Sequence, residues 1–523
     1  MKFSELGQDQ ISTISKIYWN KEVSWDSRME QLSEYLGKSK RTVSKWLSKL
    51  QITEKSLPES PQLIAAKHRK FNKESKRFII TWAQNDTPVH EPFMSNLEEY
   101  AKFINAEIHV IAGRYKNPTS VFSDKKYETW SNRVQNYLDA NRHKVHKYMW
   151  IMSDVKIQPT AVDPMTGLQG MSGINSCIFG SPRVHLETIP VLEGNHPKLM
   201  MTTGACTIPN YTDSKVGKKG EFHHTLGFVI IEIKNDEVFF ARQVTACDNG
   251  DFTDLFYHTH YLKSTGLSKI TRIDSISAII LGDLHYGQHD EALLNKTLNI
   301  IDKLKPENVI LHDVFDGLSI NHHDNKNPFI QYSREIENTN SLDKELKEMV
   351  KGLKKFEKYN VTIVRSNHDD FLDRWLQNTD WRKSNTLKNS IEYMEFSLMI
   401  LKGNAPNGVI PAIIKSKFPH FNTLGRNGSF VVNGWELGQH GDIGSNGTKG
   451  SLLQFRKLNT KIVVGHYHSP GRKDGAISVG TSTKLRVNYN VGPSNWLQSH
   501  VIIHKDGKAQ HLNYICGEFT TIS

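Results

Sequence analysis

The sequence predicts an α/β protein of several units, and three observations carry that expectation. At 523 residues the chain is too long for one ordinary core. From about residue 77 onward, short apolar strand-like runs alternate with helical patterns. Five of those runs, all in the C-terminal half, end in clusters of Asp, Asn and His. We therefore place a helix-turn-helix at 1–55, a basic linker at 56–76, a middle α/β domain at 77–270 and a chemistry-bearing half at 271–523. The formal charge of +11 favours a polyanionic partner, nucleic acid first. No apolar run approaches a membrane span, and the N-terminus has no apolar signal-like region. Cys177, Cys206, Cys247 and Cys516 are widely spaced without a CxxC, which argues against a disulfide framework and fits a reducing cytoplasm.

The first element is "SWDSRMEQLSEYLGKSKRTVSKWLSKLQI", residues 24–52. Met29, Leu32 and Leu36 form an apolar stripe, and Gly37 is a natural helix stop. Ser39 can cap a second helix in which Val43, Leu47 and Leu50 recur at helical spacing. The pattern resembles a helix-turn-helix with residues 40–50 as recognition helix, and Lys40, Arg41, Thr42, Lys45, Ser48 and Lys49 as DNA-contacting candidates. A plain packing unit would show the same apolar stripes; the basic, hydroxyl-rich face favours DNA. "TEKSLPESPQ" (53–62) reads as a linker, and the basic stretch 67–77 follows it.

The middle region predicts a strand at 77–84, a helix at 94–105, a strand at 106–113 and a hairpin of 225–233 with 237–244. No chemistry can be assigned to it. The pairs His223–His224 and His258/His260 are read as structural or solvated.

In the C-terminal half, "ISAIILGDLHYG" ends in Asp283 and His285, and "NVILHDVFDG" in Asp313 and Asp316. "VTIVRSNHDD" supplies Asn367, His368 and Asp369, "SFVVNGWELGQHGD" leads to His440, and "TKIVVGHYHSP" to His466 and His468. In an α/β sheet the active crevice lies outside the strand ends, so these distant clusters can converge on one site. Asp369 and Asp370 are read as caps of the following helix. The polar segment 319–341, with His322, His323 and Arg334, either lies over a substrate or is an exposed connection.

In this order the motifs resemble the calcineurin-like metallophosphoesterase superfamily over roughly residues 275–516, and within it the SbcD-type DNA nucleases. The resemblance implies a β-sandwich flanked by helices and a site for two divalent ions. Asp283, His285 and His468 would hold one ion, Asn367, His440 and His466 the other, with Asp313 bridging. Two such ions clamp a phosphate and lower the pKa of a water between them. His368 would be the general acid at the leaving group, and Asp316 would hydrogen-bond its imidazole. Two motifs depart from the family: His312 and Ser366 stand where a turn glycine is usual, which puts local backbone shape in doubt but removes no ligand. The imidazole, carboxylate and amide set suits Mn²⁺, Fe or Zn²⁺ ahead of Mg²⁺, and the resemblance to the nucleases of this superfamily puts Mn²⁺ first.

The expected function is a metal-dependent deoxyribonuclease acting on DNA. The alternatives are a phosphoprotein phosphatase or nucleotide phosphodiesterase of the same superfamily, or a non-catalytic DNA-binding regulator. The phosphatase reading suffers because Asp316 is followed by Gly317-Leu318 rather than Arg-Gly, and the regulator reading because no ligand is missing. The fusion of a helix-turn-helix to an SbcD-like half also resembles the early host-DNA-degrading proteins of T5-type bacteriophages, which implies DNA breakdown in the host cytoplasm. No membrane partner is expected, and the sequence neither requires nor excludes a homo-oligomer.

Overall fold

Strands buried on both faces build the platform for the site. In the computed structural model, which describes all residues except 1, 2, 21, 51, 53–59, 73, 118, 119, 123–126, 323, 325, 326, 384–386, 488, 489 and 521–523, the class is mixed α/β. A seven-stranded sheet runs in the order Asn422–Thr423, Val361–Val364, Asn308–His312, Ala278–Ile280, Ser499–Ile503, Ala509–Ile515, Glu518–Phe519. Its first four strands are parallel. Successive side chains on a strand point to opposite faces. Ile279, Val309, Leu311, Val361 and Ile363 face the helices Glu291–Leu304, Leu342–Lys354, Asp369–Asn378 and Val409–Lys417. Ala278, Ile280, Ile310 and Val364 face a second sheet through Trp435, Leu437, Val463 and Ile477.

That second sheet has ten strands and crosses the expected boundary at 270. Val431–Val432, Trp435–Glu436, Lys461–Val464, Ala476–Ser478 and Gly471–Lys473 continue into His185–Ile189, Lys198–Thr202, Ser176–Phe179, Met149–Met152 and Arg142–His146. The joint is the antiparallel pairing of Arg472 with Leu186 and Lys473 with His185. Its other half packs on a five-stranded sheet, Phe239–Thr245, Gly227–Ile233, Arg77–Gln84, Glu107–Gly113 and Leu138–Asp139. The helix Glu91–Phe103 covers the outer face of that sheet. The hairpin at 225–244 is therefore part of a larger sheet. Buried Arg242 ties the halves together: its guanidinium donates to both oxygens of Asp254 at 2.7 Å and to Thr520 at 3.0 Å.

The N-terminal helices are Gln8–Trp19, Trp25–Leu36 and Lys40–Lys49. Ile14, Met29, Leu32, Leu36, Val43 and Leu47 form their common core. Gly37 is left-handed at φ 58°, and the Ser39 side chain accepts from the Thr42 amide. The first of the three helices was not read from the sequence. Of the linker expected at 56–76, residues 56–59 and 73 lie outside the described residues; within the rest, Pro61–Lys67 is a helix capped by Ser60, with proline in its first turn, and its Leu63 and Ala66 are buried in the core of the middle region.

Candidate metal centre

The five motifs meet because the strands carrying them end on the same side of the two sheets. Ala278–Ile280, Asn308–His312 and Val361–Val364 are parallel neighbours, while Lys461–Val464 delivers His466 and His468 from the facing sheet. Each chain segment then turns sharply. His285, Asp313, His466 and His468 all have positive φ, at 42°, 45°, 75° and 56°. A left-handed residue with a Cβ costs about 1–2 kcal/mol, and such strain gathers at functional sites. His312 and Ser366 do not share it, so neither position needs the glycine usual in the resembled family.

The centre is tightly knit. Asp313 Oδ2 lies 3.4 Å from His285 Nε2 and 3.1 Å from His440 Nε2, between two imidazoles. His468 Nε2 is 3.2 Å from Asp283 Oδ2 and 3.1 Å from His285 Nε2. His440 Nε2 is 3.1 Å from the Asn367 amide oxygen. The main-chain N–H of His466 donates to Asp283 Oδ2 at 2.7 Å, and its ring lies 5.3 Å from that of His440. Asp283, His285, Asp313 and His468 are buried and bring one ligand atom each within 4.8 Å of the others.

Electrostatics and hydrogen bonding both ask for a cation here. Burial pushes Asp313 up, but His440, His368 and His285 outweigh it and hold the carboxylate well below its usual range. Burial pushes His440 down, and Asp313 and Asp283 overcome this to lift it to about 9. His285 is likewise raised well above its ordinary value, against burial, by Asp313 and Asp316. Buried Asp283 Oδ1 and Asp313 Oδ1 have no hydrogen-bond partner. The approaches of Nε2 to Nε2 and of Nε2 to Oδ1 set lone pairs against lone pairs unless a proton or a metal ion lies between them. A buried Asp/His cluster of this kind can hold a divalent metal.

Around the ligands stand residues with other tasks. The sequence placed the Asp316 carboxylate on His368; instead Asp316 Oδ1 meets His285 Nδ1 at 3.1 Å and is 3.9 Å from His368 Nδ1. His368 Nδ1 donates to the Asp316 main-chain carbonyl at 2.6 Å. The physical reason is the turn at Asp313–Asp316, which brings the carbonyl, not the side chain, to His368. Burial, with repulsion from His285, holds the His368 imidazole below its ordinary value, while Asp313 and Asp316 push back. Asp369 reaches back to accept from the Ser366 amide at 2.9 Å, and Asp370 pairs with Arg365 at 2.8 Å and Arg426 at 3.0 Å. Together they pin both sides of the Asn367–His368 turn.

Three features were not identified from the sequence. His312, noted only as a departure, is buried with Nδ1 3.4 Å from His440 Nδ1. Trp496 lies over His468 with ring centroids 4.1 Å apart. A cavity of about 750 Å³ opens at His368 and Asn367, bordered by Phe371 and by Ile330 and Arg334 of the helix Pro328–Ile336. Segment 319–341 thus borders the site, with buried Arg334 tied to Asp324 and the His322 ring 5.1 Å from Phe371; His323 lies outside the described residues.

Away from the centre, His224 bridges Tyr211 and the Thr207 carbonyl at 2.8 Å each, a structural role. His258 bonds Thr253 at 2.9 Å. A second cluster, His109, Asp139 and His143, is hubbed on Asp139, which the two rings, Ser153 and the Asn141 amide all reach within 3.3 Å. On the helix-turn-helix, Arg41, Lys45 and Ser48 are exposed, Lys40 pairs with Glu30 at 3.4 Å, and Lys49 lies over the Phe3 ring. The Thr42 hydroxyl is 3.0 Å from that of Ser39, inside the cap.

Comparison with known proteins adds a relative. The chain is similar to Protein A1 of Escherichia phage T5, with 29% identity over 484 residues that cover 88% of this chain and 86% of that protein. No family model matches the chain, and no solved structure does. A phage setting is compatible with this similarity. Among the described residues no helix is long and apolar enough to cross a membrane.

Proposed function

We propose that the protein is a metal-dependent DNA nuclease that hydrolyses phosphodiester bonds at a pair of divalent ions, Mn²⁺ first among them, and that it degrades host DNA in a phage-infected cell. One observation carries the reading: seven ligand-type side chains from five strand ends converge, with Asp313 Oδ2 set between His285 and His440. Asp283, His285 and His468 would hold one ion, Asn367, His440 and His466 the other, and Asp313 both. Bound divalent ions supply Lewis acidity to a phosphoryl oxygen and an acidified water.

The chain's own groups do the rest. Asp316 fixes the His285 ring through Nδ1, which leaves Nε2 directed at the metal site. The carbonyl of Asp316 engages His368 Nδ1 and so leaves Nε2 as the nitrogen for proton exchange at the leaving oxygen. A phosphodiester beside His368 adds negative charge, which raises the imidazole pKa and favours the proton-bearing acid. The cavity of about 750 Å³ beside His368 gives the leaving strand room. The exposed cations of the helix Lys40–Lys49 would hold duplex phosphates.

The deciding experiment is hydrolysis of linear and closed-circular duplex DNA by the purified protein with Mn²⁺, beside an EDTA control and His368→Ala. Cleavage that EDTA abolishes and the variant lowers by about 10²–10⁴-fold is expected. Intact DNA in both forms, with hydrolysis of a phosphomonoester instead, would move the function to a phosphatase.

A further inference from the structure

A second cavity, lined by cations, shares no residue with the candidate metal centre. It has a volume of about 440 Å³ and is lined by Arg456, Lys461, Arg472 and Lys508. Lys461 begins the strand Lys461–Val464, whose other end leads to His466. At about 3.3 Å per residue, the two positions are at most roughly 16 Å apart along the chain. The cavity sits where the middle region joins the C-terminal half, beside the pairing of Arg472 with Leu186.

Among the described residues that line it, the cations outnumber the carboxylates. Arg472 is only 7% exposed, yet no described carboxylate pairs with it. Its hydrogen bonds are two long ones, at 3.4 Å, to the main-chain carbonyls of Asp474 and Ala509. A guanidinium carries five N–H donors, and a buried charge is costly unless paired. Burial pulls Arg472 down to about 10, with Asp474 opposing. Lys461 is also lowered, first by burial and then by repulsion from Lys508 and Arg472, with Cys247 and Asp248 opposing. Among the described residues Asp474 is the one carboxylate lining the cavity; its Oδ1 is held by His185 at 3.2 Å, while Oδ2 faces His223 at 3.5 Å and Arg183 at 3.7 Å without a hydrogen bond. Arg456 leans on Asp163 at 3.1 Å. Lys461 Nζ lies over the Trp435 ring, 5.6 Å from its centroid, and among the described residues no carboxylate forms an ion pair with Arg472, Lys461 or Lys508. Phe222, 83% exposed at the end of the helix Lys215–Phe222, stands at the same cavity. An exposed aromatic beside clustered cations suits a nucleobase carried on a phosphate.

We propose that this cavity is a second anion site that takes a phosphate-bearing ligand, with the phosphoryl oxygens held by Arg472, Lys461 and Lys508 and a nucleobase, where one is attached, against Phe222. The site stands independently of the nuclease reading, because none of its residues belongs to the metal centre.

The test is calorimetric titration of the full chain in EDTA, which keeps the metal centre free of ions. Inorganic phosphate, a deoxynucleoside 5′-monophosphate and a short single-stranded oligonucleotide are the three ligands. Saturable binding of at least one is expected, weakened tenfold or more in Lys461→Ala/Lys508→Ala, which alters no fully buried side chain. Arg472→Lys is expected to weaken the same ligand, and Phe222→Ala to weaken the monophosphate but not inorganic phosphate. Equal binding of phosphate and monophosphate, both abolished in the double variant, would identify free phosphate as the ligand. Binding of the oligonucleotide alone, abolished in the same way, would identify a strand backbone. No saturable binding of any ligand, or binding unchanged in the double variant, would overturn the proposal.

Discussion

Gly465→Ala tests the candidate metal centre at the position where a single methyl group is aimed at a candidate ligand. A Cβ on Gly465 would fall 2.4 Å from Asp283 Oδ1 and 3.0 Å from the His312 ring. Non-bonded heavy atoms sit at about 3.5–4.0 Å, so the carboxylate must yield by about 1 Å. It is not free to do so, because Asp283 Oδ2 accepts from the His466 amide at 2.7 Å and faces His468 at 3.2 Å. The backbone at Gly465 is not left-handed, so the effect is steric and local. Overpacking of this kind costs about 1–3 kcal/mol of stability. A misplacement of about 1 Å at a reacting centre costs about 10²-fold in rate. Mn²⁺ titration calorimetry, Mn²⁺-dependent DNA hydrolysis and a thermal melt would be run together. Gly170→Ala, whose Cβ meets nothing within 4 Å, serves as control. A Gly465→Ala protein with wild-type Mn²⁺ affinity and rate would refute the claim that Asp283 is a metal ligand held in this position.

Three further outcomes follow from the same geometry. With metal bound through Nε2, His440 keeps its proton on Nδ1, facing His312 at 3.4 Å; His312→Ala should lower Mn²⁺ affinity by about 10–100-fold with the fold kept, and calorimetry reads this directly. Glu345 is lifted from 4.5 to about 7 by burial and then by Asp316, against hydrogen bonds from Ser319 and Leu318. A carboxyl raised on folding binds its proton more tightly in the folded state, so stability should fall as pH rises from about 4.5 to about 7. Glu345→Gln should flatten that part of a Tm-against-pH curve, and an unchanged slope would assign it to other groups. Arg41→Ala/Lys45→Ala should weaken DNA binding and reduce the slope of log K against log salt by about 0.9 for each phosphate the helix no longer neutralises; an unchanged slope would make the helix pair a packing unit.

How much of this was legible depends on the range of each interaction. Helix ends are local, so Gly37, Ser39 and the Met29–Leu32–Leu36 stripe could be read directly and stand as expected. Strand ends were also legible, because a β-branched run that stops at Asp or His needs no tertiary information. The Asp316 assignment failed since Asp-x-x-Asp spacing does not say which atom of the turn reaches His368, and the carbonyl arrived there at 2.6 Å. His312 was visible only as a replaced glycine; its approach to His440 spans 128 positions. Trp496 and the His368 cavity are products of packing and carry no short motif.

The boundary at 270 shows most clearly what local pattern cannot supply. Composition and strand order on either side look like two units, yet His185–Ile189 hydrogen-bonds to Gly471–Lys473 and extends the sheet that carries His466 and His468. Cutting the chain there would bare a strand edge, and unpaired edges pair with other chains. It would also strip Leu497 and Ile515 of their partners Phe239, Ala241 and Met201 in a shared core. The middle region is therefore part of the scaffold that holds two of the candidate ligand histidines in strained left-handed turns, where a rigid sheet is what keeps about 1–3 kcal/mol of backbone strain from relaxing. The same seam encloses the buried Arg472, with which no described carboxylate forms an ion pair, so the candidate metal centre and the basic cavity lie at opposite ends of one strand in a continuous sheet.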